Sequence, residues 1–132
     1  MKRIIIIVAL LISIQLVPVL SFADHNQYLF DQANKLYQQE NYLQAIEKYL
    51  EIQNNGYESW QLYYNLGNSL FKANKLDGSI EAYKNALRNN PSDEDARHNL
   101  QYALRLKNMQ QQQQQDNKDQ KDQQENKENK DS

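Results

Sequence analysis

Side chains able to carry chemistry are few in this chain. His25 and His98 are its only histidines, cysteine is absent, and glycine occurs three times. A metal site or an acid–base pair would have to be assembled from carboxylates. The candidates are Glu47 with Glu51, one helical turn apart, and the run Asp93, Glu94 and Asp95. Both sets read more simply as solvated helix faces and as acids near the positive end of a helix. Without cysteine there is no thiol nucleophile, no disulfide and no Cys-based zinc site. Three glycines do not build a phosphate-cradling loop. His98 fits a groove wall or a solvated surface better than a ligand set. The residues argue against an enzyme, and no cofactor or metal is expected.

The two ends of the chain look non-globular. Lys2 and Arg3, an apolar run from Ile4 to Leu20, and Ser21-Phe22-Ala23 have the layout of a secretory signal over residues 1–23. Cleavage after Ala23 would place the mature protein in the periplasm or outside the cell. If the signal is not cleaved, the same run is a membrane anchor, near the short end of a span. Removing Lys2 and Arg3 from the 15 basic residues leaves 13 against 17 acidic ones, a net charge of −4. That balance disfavours nucleic acid, whose binding depends on Lys and Arg neutralising phosphates. Residues 108–132 hold one apolar side chain, Met109, a run from Gln110 to Gln115, and then mixed Asp, Glu, Lys, Asn and Gln. Such a segment has little to bury, which predicts a disordered tail, with the first glutamines able to prolong a preceding helix.

Between these ends, apolar residues recur at steps of three and four, the period of a helix with one buried face. Leu29, Ala33, Leu36 and Tyr37 mark a first helix, and Ala45, Ile46, Tyr49, Leu50 and Ile52 a second. Asn41 with Gln44 resembles a reciprocal cap, and Gly56 suits a helix end. Ser59 can cap a third helix bearing Tyr63, Leu66, Gly67, Leu70 and Phe71, and a fourth runs from Asn74 through Leu76, Ile80, Tyr83 and Leu87. After Pro91, Ser92 is placed to cap a fifth helix carrying Ala96, Leu100, Ala103 and Leu104. No stretch alternates long enough for a strand. The fold class is all-α.

An echo at 34 residues organises these helices. Ala33, Asn34, Ile46, Glu47, Tyr49 and Asn55 are answered by Gly67, Asn68, Ile80, Glu81, Tyr83 and Asn89. A repeat of that period marks stacked helix–turn–helix units. In units counted from Asn26 and Trp60, small residues stand at position 8 (Ala33, Gly67) and position 20 (Ala45, Ser79). An aromatic stands at position 24 (Tyr49, Tyr83), and Pro91 closes the second unit. With YYNLGNSLF and AYKNALRNNP, the chain resembles the tetratricopeptide repeat family. The first unit departs from the pattern at Gln32, Ile52 and Tyr57.

The resemblance implies an α-solenoid over 24–107, with units 26–59 and 60–93 and a capping helix 93–107. It also implies a concave wall that holds a protein or peptide. Carried over position by position, the wall comprises Gln27, Phe30, Asp31, Asn34, Tyr37 and Gln38 in the first unit. The second contributes Gln61, Tyr64, Asn65, Asn68, Phe71 and Lys72, and the fifth helix Asp95, His98, Asn99, Tyr102 and Arg105. Carboxamides can bond both the N–H and the C=O of an extended peptide, and aromatic faces add apolar contact. Tyr37 and Phe71 also fit a second role, packing between neighbouring first helices. The family's carboxylate clamp is not expected. Asn34 and Asn65 match its asparagines, but Phe30, Asp95 and Asn99 stand where its cations belong, and a buried carboxylate needs that compensation.

A narrower resemblance rests on GYESWQLYYNLGN, NPSDEDARHNLQYAL, the exported start and the glutamine-rich tail. These are similar to the small repeat proteins of bacterial Bat (aerotolerance) operons. Such proteins imply a scaffold in the cell envelope and a von Willebrand factor A-type membrane protein as partner. The contrasting expectation is a structural or self-associating protein without a peptide ligand. Two units are a short stack, so Tyr28, Tyr42 and Leu43 at the first end offer a homodimer surface.

Overall fold

The computed structural model describes residues 23–128. The expected secretory segment lies outside the described residues apart from Ala23. Helix α1 spans 23–38. It is followed by α2 (Tyr42–Asn54), α3 (Trp60–Lys72), α4 (Leu76–Asn89) and α5 (Glu94–Glu128). Among the described residues all regular structure is helical, and no helix is long and apolar enough to cross a membrane.

The turns explain where the helices stop. Between α1 and α2, Asn41 N–H donates to the Leu36 carbonyl at 2.9 Å, with Glu40 at φ 62°. Between α3 and α4 the same closure recurs 34 residues later: Lys75 N–H donates to the Leu70 carbonyl at 2.8 Å, with Asn74 at φ 57°. Positive φ crowds a Cβ, and asparagine tolerates it better than glutamate does. Gly56, at φ 80°, follows α2 with no such penalty.

Two caps differ from the sequence expectation. Asn41 makes no side-chain cap bond, because its ψ of 62° lies outside the extended geometry that capping requires. At α5 the cap is Asp93, whose Oδ1 accepts from Ala96 N–H at 3.0 Å, while Ser92 Oγ donates to Asn90 Oδ1 instead. Ser59 does cap α3, its extended backbone letting Oγ accept from Leu62 N–H at 3.1 Å.

Packing follows the 34-residue register. Leu29, Ala33, Ile46, Tyr49, Ile52, Leu62 and Leu66 form one buried cluster joining α1, α2 and α3. Tyr63, Ala86 and Ala96, with Ile80, Tyr83 and Ala103, join α3, α4 and α5. Gly67 lies flat under the Tyr83 ring, where an added Cβ would sit 2.7 Å from two ring carbons. Leu50 and Leu104, expected inward, are 40% and 39% exposed. Leu104 is the register equivalent of Leu70, whose side chain packs on Gly78 of α4. No described helix follows α5 to cover Leu104 in the same way.

Helix α5 does not close at 107. It runs on to Glu128, with side chains exposed from Asn108 to Lys121. Residues 108–128 contain neither proline nor glycine, and glutamine and lysine are good helix formers. Nothing in that composition stops a helix that packing has already nucleated.

Candidate functional site: a groove along α3

The wall of the site is organised by two identical hydrogen-bond nodes. Asn34 Oδ1 accepts from Tyr49 OH at 2.6 Å and from Asn65 Nδ2 at 3.1 Å. One register later, Asn68 Oδ1 accepts from Tyr83 OH at 2.7 Å and from Asn99 Nδ2 at 3.1 Å. Each node ties three helices together: α1, α2 and α3, then α3, α4 and α5. Burial pushes the Tyr49 and Tyr83 phenols well above their ordinary range, so both remain neutral donors. Burial also raises Tyr37, with smaller contributions from Tyr42 and Tyr64.

These nodes narrow what the asparagines can offer. The carbonyl of Asn34 and that of Asn68 each already accept two bonds, their full capacity. What remains on the cavity walls is the N–H group of Asn68 and the carbonyl of Asn65.

Above the nodes, three cavities adjoin along α3. The first, about 380 Å³, is walled by Ala23, Asn26, Gln27, Phe30, Tyr57, Ser59 and Gln61. Phe30 and Gln61 also wall the second, about 330 Å³, with Trp60, Tyr64, Asn65, Asp93 and Asp95. Tyr64 is shared with the third, about 340 Å³, which is completed by Tyr37, Asn68, Phe71, Lys72, Tyr83, Asn99 and Tyr102. Aromatic contacts brace the walls: Phe71 and Tyr102 lie 5.6 Å apart by ring centroids, Tyr64 and Tyr83 6.3 Å, and Phe30 and Tyr49 5.7 Å.

The structure thus brings Phe30, Tyr37, Gln61, Tyr64, Asn65, Asn68, Phe71, Lys72 and Tyr102 onto one continuous groove. Asn34 lies beneath it as a node. His98 is exposed and lines none of the three cavities. Tyr37 and Phe71 hold both roles considered for them, packing against the core and lining the groove. The register did not place Trp60, Tyr83 or Asp93 on the wall, where the structure has them. Tyr83 reads as pure core from its register and is almost fully buried, yet it contributes to the wall of the third cavity.

Charge is divided along the groove. Asp93 and Asp95 are the ionisable acids of the second cavity's wall, whereas Lys72 is the cation of the third. Asp93 spends Oδ1 on the α5 cap, and its Oδ2 is buried without a hydrogen-bond partner. Among the described residues no group of three or more His, Cys, Asp and Glu could hold a metal ion.

Comparison with known proteins fits this geometry. Among curated proteins none matches the chain. The family model described as tetratricopeptide repeat matches residues 30–94, which cover most of α1, all of α2, α3 and α4, and the first residue of α5. With its helix pairs repeating at 34 residues and its nodes repeating with them, the chain over these residues is an α-solenoid that matches the tetratricopeptide repeat, a repeat of the protein–protein interaction kind.

Proposed function

We propose that this protein is an exported adaptor of the bacterial cell envelope that holds an extended segment of a partner protein in the groove along α3. The observation that carries this reading is the run of three adjoining cavities walled by aromatic rings and carboxamides. Aromatic walls give apolar contact at low entropic cost, and carboxamide N–H groups satisfy the carbonyls of an extended chain. The exported location rests on the pattern of residues 1–23. A place in a Bat-type stress-tolerance complex, with a von Willebrand factor A-type membrane protein as partner, rests on the sequence resemblance.

The test is pull-down from envelope extract by the wild type and by the Phe71→Ala, Tyr102→Ala double variant. A partner bound through the groove is lost from the variant and kept by a control substitution on the exposed face of α2, Glu47→Ala. A partner retained at wild-type level by the double variant defeats the groove assignment.

A second reading, self-association, draws on the first end of the stack, where Tyr28 and Leu43 are 59% and 57% exposed. Sedimentation at micromolar concentration separates the two, and a monomer removes the homodimer.

A further inference from the structure

We infer that the occupant of the groove is an extended peptide with one basic and one acidic side chain three to five residues apart and apolar side chains between them. This rests on the groove reading above and specifies its ligand. The second cavity presents Asp93 and Asp95 and no cation, whereas the third presents Lys72 and no carboxylate. Lys72 makes no ion pair with the described residues. Asp93 and Asp95 both line the second cavity, so a basic side chain seated there meets two carboxylates and no competing cation. Between the charges stand Tyr64, Phe71 and Tyr102, which suit apolar side chains.

The separation follows from helix geometry. Asp95 precedes Tyr102 by seven residues on α5, and Tyr102 meets Phe71 beside Lys72. Along α3, Gln61 precedes Lys72 by eleven residues. At ~1.5 Å per residue these spans are roughly 10 and 16 Å. An extended peptide rising ~3.3 Å per residue covers them in about three to five residues. Asn68, whose carbonyl is already occupied, turns its remaining N–H toward a peptide carbonyl. A lone organic cation caged by the rings is the weaker fit, because Lys72 shares their cavity.

Random dodecapeptides displayed on phage are panned on the full-length protein, on Lys72→Glu and on Asp95→Lys. Both side chains are exposed, so the variants should fold. Wild type is expected to enrich one base and one acid three to five residues apart. The Lys72→Glu variant should enrich a base in place of the acid, and Asp95→Lys an acid in place of the base. A synthetic wild-type-selected peptide should bind either variant about tenfold more weakly. Identical charge patterns on all three proteins overturn the inference, as do charges seven to eleven residues apart, which describe a helical ligand. If such peptides still lose binding on Phe71→Ala, the groove reading survives. No enrichment, or binding indifferent to Phe71→Ala with Tyr102→Ala, defeats both.

Discussion

The two repeat units share their interior and differ at their borders. Both carry a tyrosine–asparagine node, Tyr49 on Asn34 and Tyr83 on Asn68, and both close their helix pair through a residue of positive φ. The face that α3 turns to the preceding unit bears Leu62, Leu66 and Ser69, all buried. The same register on α1 reads Tyr28, Gln32 and Lys35, with Gln32 Nε2 donating to Tyr28 OH at 2.6 Å. On α5 it reads Ala96, Leu100 and Ala103. Residues that join units are apolar or small, whereas the outer face of the first unit is polar enough to meet water. The difference accounts for Gln32, which lies on this outer face, but not for Ile52, which is buried in the cluster that joins the units.

Substitutions at register-equivalent positions probe this contrast. Leu62→Ala removes a fully buried side chain and should cost about 2–5 kcal/mol in chemical denaturation. Its counterpart Tyr28→Ala, on the open face, should stay within about 0.5 kcal/mol. Equal losses would erase the distinction between interior and end.

Gly67→Val comes next, at about 2–3 kcal/mol, because its side chain meets the Tyr83 ring and that ring is held by Asn68. A melting temperature equal to wild type would show that the ring moves freely.

Tyr49→Phe and Tyr83→Phe each remove one donor from a node and should cost about 1–2 kcal/mol. They also test pH dependence. Both phenols titrate from 10.0 when unfolded and well above that when folded. The folded state therefore retains protons that the unfolded state gives up. The stabilisation is complete below pH 10 and is lost as pH rises through the folded values. The double Phe variant should show a shallower alkaline decline than wild type, read as denaturation midpoint against pH.

The smallest effect is a gain. Glu40→Asn gives the first unit the residue that the second unit has at this turn, and should stabilise by up to about 1 kcal/mol. No gain in melting temperature would mean that the two turns are equally strained.

The sequence made most of the architecture legible, for a physical reason: a period of 34 repeats every packing contact, so one strong unit explains the other. Most residues that line the groove were legible through the same register, but Asn34 lies beneath it and His98 outside it. Less visible was how Asn34 and Asn68 divide their hydrogen bonds, since a residue type does not reveal which atom faces inward. The pattern was nonetheless present, because Asn65 and Asn99, Asn34 and Asn68, and Tyr49 and Tyr83 each stand 34 apart. The cap at Asp93 was missed because Ser92 and Asp93 are both good caps, and only backbone direction selects between them. The length of α5 was missed because composition reports what cannot pack, and a polar helix need not pack to persist beside a nucleated one.

The two nodes also have a mechanical consequence. Each carboxamide hydrogen bond from Asn65 to Asn34, and from Asn99 to Asn68, bridges two helices beneath the groove. Spreading these helices apart would stretch the bridges, at a net cost of about 1 kcal/mol for each bond broken. They act as stops on the spacing of α1, α3 and α5, so the width of the groove is set by the fold itself.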